Sequence, residues 1–161
     1  MNSNFEKKYA ELSNQAASNL TKNQIVTLAS MIERETITDE ERPIVSGILI
    51  KRLENDWALQ VDAAVQYAVA NSKIKSSSSR LENYWETITK LDLEINSPFN
   101  TYKYTGLPPS PIANPGLSSL SAALNPQESS YWFYLHDPKG IIHYAEDIEG
   151  HNENVRKYLG K

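Results

Sequence analysis

The chain has 161 residues, 40% apolar and 22% charged, and a formal net charge of −4 at pH 7. That length and apolar content suit one folded domain with a real core and argue against disorder, while a mildly acidic chain with no long basic run argues against nucleic-acid binding driven by phosphate attraction. The lack of cysteine excludes a disulfide scaffold, a thiol nucleophile and a Cys-ligated zinc centre.

Residues 1–20 are polar with scattered Phe5, Tyr9 and Leu12, and read as a linker or lead-in helix ahead of a single domain over 21–161. Thr21 and Gln24 form a capping-box pattern. The helix after them carries Ile25, Leu28, Met31 and Ile32 at helical spacing. A second box, Thr38 with Glu41, opens a helix with the stripe Ile44, Val45, Ile48, Leu49 and Leu53 and with Pro43 in its first turn. "WALQVDAAVQYAVANSK" reads as a loop and a third helix, and the serine-rich "SKIKSSSSR" as a flexible excursion.

From Tyr84 onward the chain mixes short β-type runs with Pro and Gly. Six residues between Gly106 and Gly116 are Gly or Pro, which marks a built loop. "LSSLSAALNP" is a short helix stopped by Pro126. "YWFYLHDPKGIIHYAED" is a β-hairpin turning at Asp137–Gly140, and "HNENVRKYLGK" a closing helix. Helices segregated from a small antiparallel sheet give an α+β class. No apolar stretch is long enough to span a bilayer, and the first ten residues lack a signal-peptide core.

The stretch "LASMIERET" carries the chemistry. A helix turns about 100° per residue, so with Leu28 at the centre of the apolar face Ile32 lies roughly 40° to one side and Met31 roughly 60° to the other. On the same wheel Glu33 points about 140° away, an outward charge, whereas Glu35 lies only about 20° from Leu28. A carboxylate on the core face is costly unless something offsets it. Two readings stay open on geometry: a frayed helix end that lets Glu35 reach water, or a carboxyl partly desolvated at the rim of a cleft, its pKa raised as a general acid requires.

"LASMIERET", "ERPIVSGILIKRL", "LQVDAAVQYA" and "DLEINSPFNTYKYTGLPPSPIANPG" resemble, in order, the catalytic domain of the endolytic murein transglycosylases, the MltG or YceG-like family, with the likeness running from about Leu28 to Asn152. The resemblance implies an enzyme that cuts peptidoglycan glycan strands internally and leaves 1,6-anhydro-muramyl ends. It implies a catalytic glutamate at the second position of the E-x-E-T string, here Glu35, with Glu33 supporting it from behind. By the same resemblance Gln60 and Asp62 of "LQVD" would bind sugar groups, although Val61 stands where the family has Ser or Thr and Ala63 where it has Pro. Asn100 and Tyr102 of "FNTY" match, with Phe99 in place of a Tyr, and Asn114 would point inward from a far wall built by "GLPPSPIANPG", with Gly106 allowing close approach.

Gln60, Asp62, Asn100 and Tyr102 are therefore expected to converge on Glu35, and neither Glu33 nor Glu35 is expected to hold the core together. One carboxyl would serve as acid and then base, with no cofactor and no metal. His136, His143 and His151 show no zinc-ligand spacing.

The family's usual membrane helix and LysM-like domain are not in these residues. The chain is thus expected to be a catalytic part that works, in the intact protein, on the extracytoplasmic face of the bacterial cytoplasmic membrane, with peptidoglycan as substrate and the cell-wall synthesis machinery as partner. Three alternatives stand beside this: a non-catalytic peptidoglycan-binding domain; a hydrolytic muramidase using Asp62 as second carboxylate; and a pyridoxal-phosphate aminodeoxychorismate lyase, which would need a protected Schiff-base lysine where Lys51, Lys90 and Lys103 lie in polar or amphipathic surroundings.

Overall fold

The computed structural model describes residues 2–13, 19–76 and 84–160. In chain order the elements are α1 (Asn2–Ser13), α2 (Lys22–Glu35), α3 (Glu41–Glu54), α4 (Asp62–Ser76), α5 (Leu117–Leu124), a hairpin of β1 (Phe133–His136) and β2 (Ile142–Ala145), and α6 (Ile148–Asn154), which ends in a single π turn over Val155–Leu159. The α+β class is thus the one the sequence indicates. No helix among the described residues is long and apolar enough to cross a membrane.

α2 is the central helix and packs against α3, α4 and α5. Its Ile25, Leu28, Ala29, Met31 and Ile32 meet Val45 and Leu49 of α3, Leu59 and Val61 of the loop before α4, and Leu120, Ala123 and Leu124 of α5, all sealed from solvent. Tyr9 and Leu12 of α1 lie against this core. Thr21 caps α2 as the sequence predicts: its hydroxyl accepts from the Gln24 N–H, and the Gln24 side-chain oxygen accepts from the Thr21 N–H.

α3 departs from expectation. It begins at Glu41, three residues past Thr38, and its N-cap residue Glu40 makes no side-chain cap. The Glu41 carboxylate instead accepts from the N–H groups of Ile37 (2.8 Å) and Thr38 (3.3 Å) and lies 3.2 Å from Nε2 of His136, so it ties the α2–α3 turn to β1. Gly47 lies in the middle of α3 because a Cβ there would sit 2.0 Å from the Gln127 carbonyl oxygen. That strand of chain crosses close enough for the Gln127 N–H to reach the Pro43 carbonyl at 2.9 Å.

α4 runs on to Ser76, and the rest of the predicted serine-rich excursion lies outside the described residues. The short β-type runs expected between Tyr84 and Gly116 are turns and one 3-10 turn, Asp92–Glu94. Asn100 explains why. Its amide donates to the carbonyls of Leu93 (2.7 Å) and Ile95 (3.0 Å), and its side-chain oxygen accepts from the N–H groups of Tyr102 (3.1 Å) and Lys103 (3.3 Å), so backbone groups that a ladder would use are already paired.

The predicted hairpin forms in the register Phe133↔Ala145, Tyr134↔Tyr144, Leu135↔His143 and His136↔Ile142. The Asp137 carboxylate accepts from the N–H groups of Lys139 and Ile141, and Gly140 supplies φ +79°. α6 starts at Ile148, ahead of His151, with Asp147 accepting from the Gly150 N–H at 2.7 Å.

Candidate active site

An open cleft of about 800 Å³ lies between the C-terminal end of α2, the N-terminal end of α4, β1 and α6. Glu35 stands in it. α2 does not fray there: the Thr36 hydroxyl and N–H both bond back to the Ile32 carbonyl, at 2.7 and 3.1 Å, and fix the last turn. Glu35 therefore projects from the core face, half-buried. Its Oε2 accepts from the Tyr134 phenol at 3.0 Å and its Oε1 lies 3.4 Å from the Ala63 N–H. Burial raises the Glu35 pKa from 4.5 to about 7, with the nearby Asp62 charge adding to the rise, while the bonds from Tyr134 and Ala63 and the Arg34 charge hold it back.

Asp62 is the first residue of α4 and is exposed. A carboxylate is favoured at a helix N-terminus, and the Tyr102 phenol donates to it. Burial, together with that bond, pushes the Tyr102 pKa well above its usual value. The segment holding Gln60 and Asp62 is stitched to Thr101: the Gln60 N–H donates to the Thr101 carbonyl (3.0 Å), and the Thr101 hydroxyl takes the Val61 N–H (2.9 Å) and reaches the Val61 carbonyl (3.3 Å). Gln60 adopts φ +54°, the left-handed region, a conformation that costs a non-glycine residue roughly 1–2 kcal/mol. Val61 points into the core.

Of the residues expected around Glu35, Gln60, Asp62 and Tyr102 line the cleft. Asn100 and Asn114 do not. Asn100 is fully buried with its amide engaged in the loop bonds above. Asn114 is exposed on a loop that packs on the opposite side of α2, where the Ile112 N–H donates to Ser30 at 3.0 Å and the Gly116 N–H to Glu33 at 3.0 Å. The "GLPPSPIANPG" loop is thus no far wall: the hairpin and α6 take that place. Gly106 is needed for its φ of +86°, since a Cβ there would meet nothing within 4 Å.

Glu33 is also more than an outward charge. It accepts from Ser119 Oγ (2.6 Å) and from the N–H of Gly116, the N-cap of α5. Burial works to raise its pKa, but these bonds and the charges of Arg42 and Arg34 bring it below the ordinary carboxylate value.

The sequence reading missed Tyr134 and Arg52 and weighed His151 only as a metal ligand or a structural residue; all three stand in the cleft wall. Arg52 is buried, its guanidinium donating to the carbonyls of Leu59 (2.8 Å) and Trp132 (2.7 and 3.0 Å). His151 stacks on Phe133, and its Nδ1 is buried without a partner. Burial, then the Arg52 charge, lowers the His151 pKa and favours the neutral ring. Among the described residues no three His, Asp or Glu side chains are placed to hold a metal ion, and Lys51, Lys90 and Lys103 lie outside the cleft. What the arrangement can do is move a proton at Glu35, beside a fixed phenol and a second carboxylate.

The fold is a helical α+β domain with an open cleft over one desolvated carboxyl. The YceG-like family matches residues 1–157. The chain is 35% identical over 136 residues to an endolytic murein transglycosylase of Bacillus subtilis (strain 168), covering 84% of this chain and 34% of that protein. It is 32% identical over 142 residues to one from Streptococcus pneumoniae, covering 88% of this chain and 24% of that protein. The crystal structure of a YceG-like protein from Listeria monocytogenes superposes with a TM-score of 0.75 at 34% identity, over 93% of this chain and 44% of that one. This chain belongs to the YceG-like family. It spans about a third of the Bacillus relative's length and about a quarter of the pneumococcal one's.

Proposed function

We propose that this domain is the catalytic part of a peptidoglycan lytic transglycosylase, with Glu35 as its one acid–base group. The observation that carries the reading is a half-buried carboxyl in an open cleft, bonded by the Tyr134 phenol at 3.0 Å, and burial raises its pKa to about 7. A group titrating near neutrality both gives and takes a proton readily. Glu35 protonates the glycosidic oxygen between N-acetylmuramic acid and N-acetylglucosamine as the bond to muramyl C1 breaks. The resulting Glu35 carboxylate, held by Tyr134 and the Ala63 N–H, then takes the proton of the muramyl C6 hydroxyl as that oxygen closes on C1. The leaving sugar departs as an alcohol, the muramyl end is a 1,6-anhydro ring, and Glu35 is again protonated. No water is consumed and no cofactor is required.

Asp62 favours a second reading. It shares the cleft and its charge is felt at Glu35, so a hydrolytic muramidase could use it to activate water. The phenol bond from Tyr102 engages Asp62 and suits it better to stabilising positive charge on the breaking sugar. The names of the relatives also favour the transglycosylase. A glutamate at position 35, with its pKa raised in the cleft, argues against a purely binding domain. Gln60 and Tyr102 are proposed to hold the strand, and Glu33 to support the end of α2. In the full-length protein the same reading puts the domain on the extracytoplasmic face of the membrane, among the cell-wall synthesis machinery. Mass spectrometry of digested strands tests it: anhydro-muramyl ends are expected, and reducing muramyl ends would show a hydrolase.

A further inference from the structure

Two non-glycine residues among those described hold left-handed backbone, Asp56 (φ +53°) and Gln60 (φ +54°), and they bracket a short segment that begins with Trp57. Asp56 closes the end of α3, where the Trp57 N–H returns to the Arg52 carbonyl at 2.9 Å. The Gln60 conformation is the costlier, because a long side chain gains nothing locally from it. A left-handed residue such as Gln60 persists only where the surrounding structure holds it, and Trp57 lies in the segment so held.

Trp57 is 44% exposed, yet it is not loose. Trp132 meets it edge-on at 4.9 Å and Phe133 at 5.6 Å, and the Arg52 guanidinium, pinned by the Leu59 and Trp132 carbonyls, lies 5.6 Å from its ring centre. Folding thus fixes an indole that stays open to water beside the half-buried Trp132. The ring borders a recess of about 540 Å³ that shares Gln60, Phe133 and Ile148 with the Glu35 cleft. The other side of the recess carries the carboxylates of Glu146, Asp147 and Glu149.

We propose that this recess is a sugar subsite continuous with the cleft, taking a neutral N-acetylglucosamine unit of the glycan strand stacked on Trp57. The proposal rests on the strand-cleaving reading above and adds which unit sits beyond the reacting pair. The face of a pyranose ring carries C–H bonds that pack on an indole, and its edge carries hydroxyls that carboxylates and amides accept or donate to. Gln60 and the three carboxylates supply that edge chemistry. Their shared negative charge repels the carboxylates of a stem peptide, so the unit without a peptide is the one that fits. Glu146 is bonded to Ser130 and Asp147 to the Gly150 N–H; a ligand hydroxyl adds to those bonds through the carboxylates' remaining acceptor positions.

The test uses tetra-N-acetylchitotetraose, a peptide-free oligomer of the proposed unit, with the indole N–H resonances of Trp57, Trp85 and Trp132 followed by NMR. Saturable shifts of Trp57 and Trp132 with Trp85 unmoved are expected. Trp57→Ala should weaken binding by about tenfold or more, and Trp57→Phe, which keeps a ring, by far less. Trp57→Phe also serves if the alanine variant folds poorly. A stationary Trp57 resonance, or equal affinity in the alanine and parent proteins with both folded, overturns the proposal. So does binding at Trp57 by peptide-bearing strands but not by the oligomer. The readout needs no cleavage: strands cut to anhydro ends without a Trp57 shift would sink the subsite alone, and a Trp57 shift without any cleavage would sink the transglycosylase alone.

Discussion

The phenol of Tyr134 donates to Oε2 of Glu35 at 3.0 Å, across a sequence separation of 99 residues. The hairpin is what spans that distance. β1 brings Tyr134 over the end of α2, and the Glu41–His136 contact ties the same strand to the turn just after Glu35. Both groups are half-buried, and burial together with the carboxylate keeps the phenol protonated far above its ordinary range. Tyr134 is therefore a donor at any working pH, and it steadies the charged form of Glu35.

Removing that donor should act on the proton as well as on the rate. In Tyr134→Phe the Glu35 carboxylate loses a bond of the charged class, worth about 1.5–3 kcal/mol, so the Glu35 pKa should rise further. Cleavage of glycan strands should fall by roughly 10- to 100-fold, and the alkaline limb of the kcat/KM profile should move to higher pH. An unmoved limb would mean that Tyr134 only packs against the site.

Asp62→Asn should move the limb the other way. The Asp62 charge adds to the burial that raises Glu35, and the neutral amide removes that contribution. The protonated acid is required at the first step, so kcat/KM of the parent should decline as pH rises through about 7, and the decline should begin at lower pH in the variant. Loss of all cleavage, with the limb unchanged in what remains, would point instead to the second carboxylate of a hydrolase.

Much of this site was readable from the helix wheel. Glu35 lies on the stripe of Leu28 and Ile32, and the same wheel singles out Arg52, which comes four residues after Ile48 and three after Leu49 and is buried with them. Arg52 went unread because a basic residue at a helix end passes for a solvated charge. Tyr134 had no local signal, since an aromatic in a strand is ordinary and only the tertiary path of the hairpin brings it to Glu35. Asn100 and Asn114 fail as cleft residues for an opposite reason. A polar residue in a distinctive loop can be distinctive because it builds the loop, and the Asn100 amide does that. The second capping box forms only by half: the Glu41 carboxylate accepts from the Thr38 N–H, but α3 begins at Glu41 itself, so Thr38 is not its N-cap.

Glu33→Gln should cost stability, against the first expectation from the wheel. The carboxylate accepts from Ser119 and from the Gly116 N–H at the start of α5, and the amide keeps at most part of this, for a loss of about 1–2 kcal/mol. The sign with pH is fixed. Its folded pKa lies below the usual 4.5, so the contribution is complete above 4.5 and disappears as pH falls through the folded value. Chemical denaturation at neutral and acid pH should show the parent–variant gap closing on acidification; a constant gap would mean that the charge is immaterial.

The most direct measurement is the end-group analysis of glycan strands digested by the parent and by Glu35→Gln. The amide keeps the side chain's size but cannot exchange a proton, and general acid–base catalysis is worth about 10²–10⁴-fold. The variant should also be no less stable than the parent. The Glu35 pKa rises on folding from 4.5 to about 7, so its contribution is complete below 4.5, is lost as pH rises through about 7, and leaves the parent, not the variant, bearing the cost of a buried charge at higher pH. The account predicts 1,6-anhydro-muramyl ends from the parent and none from a folded Glu35→Gln protein. Anhydro ends at the parent rate from Glu35→Gln would place the acid elsewhere and contradict it.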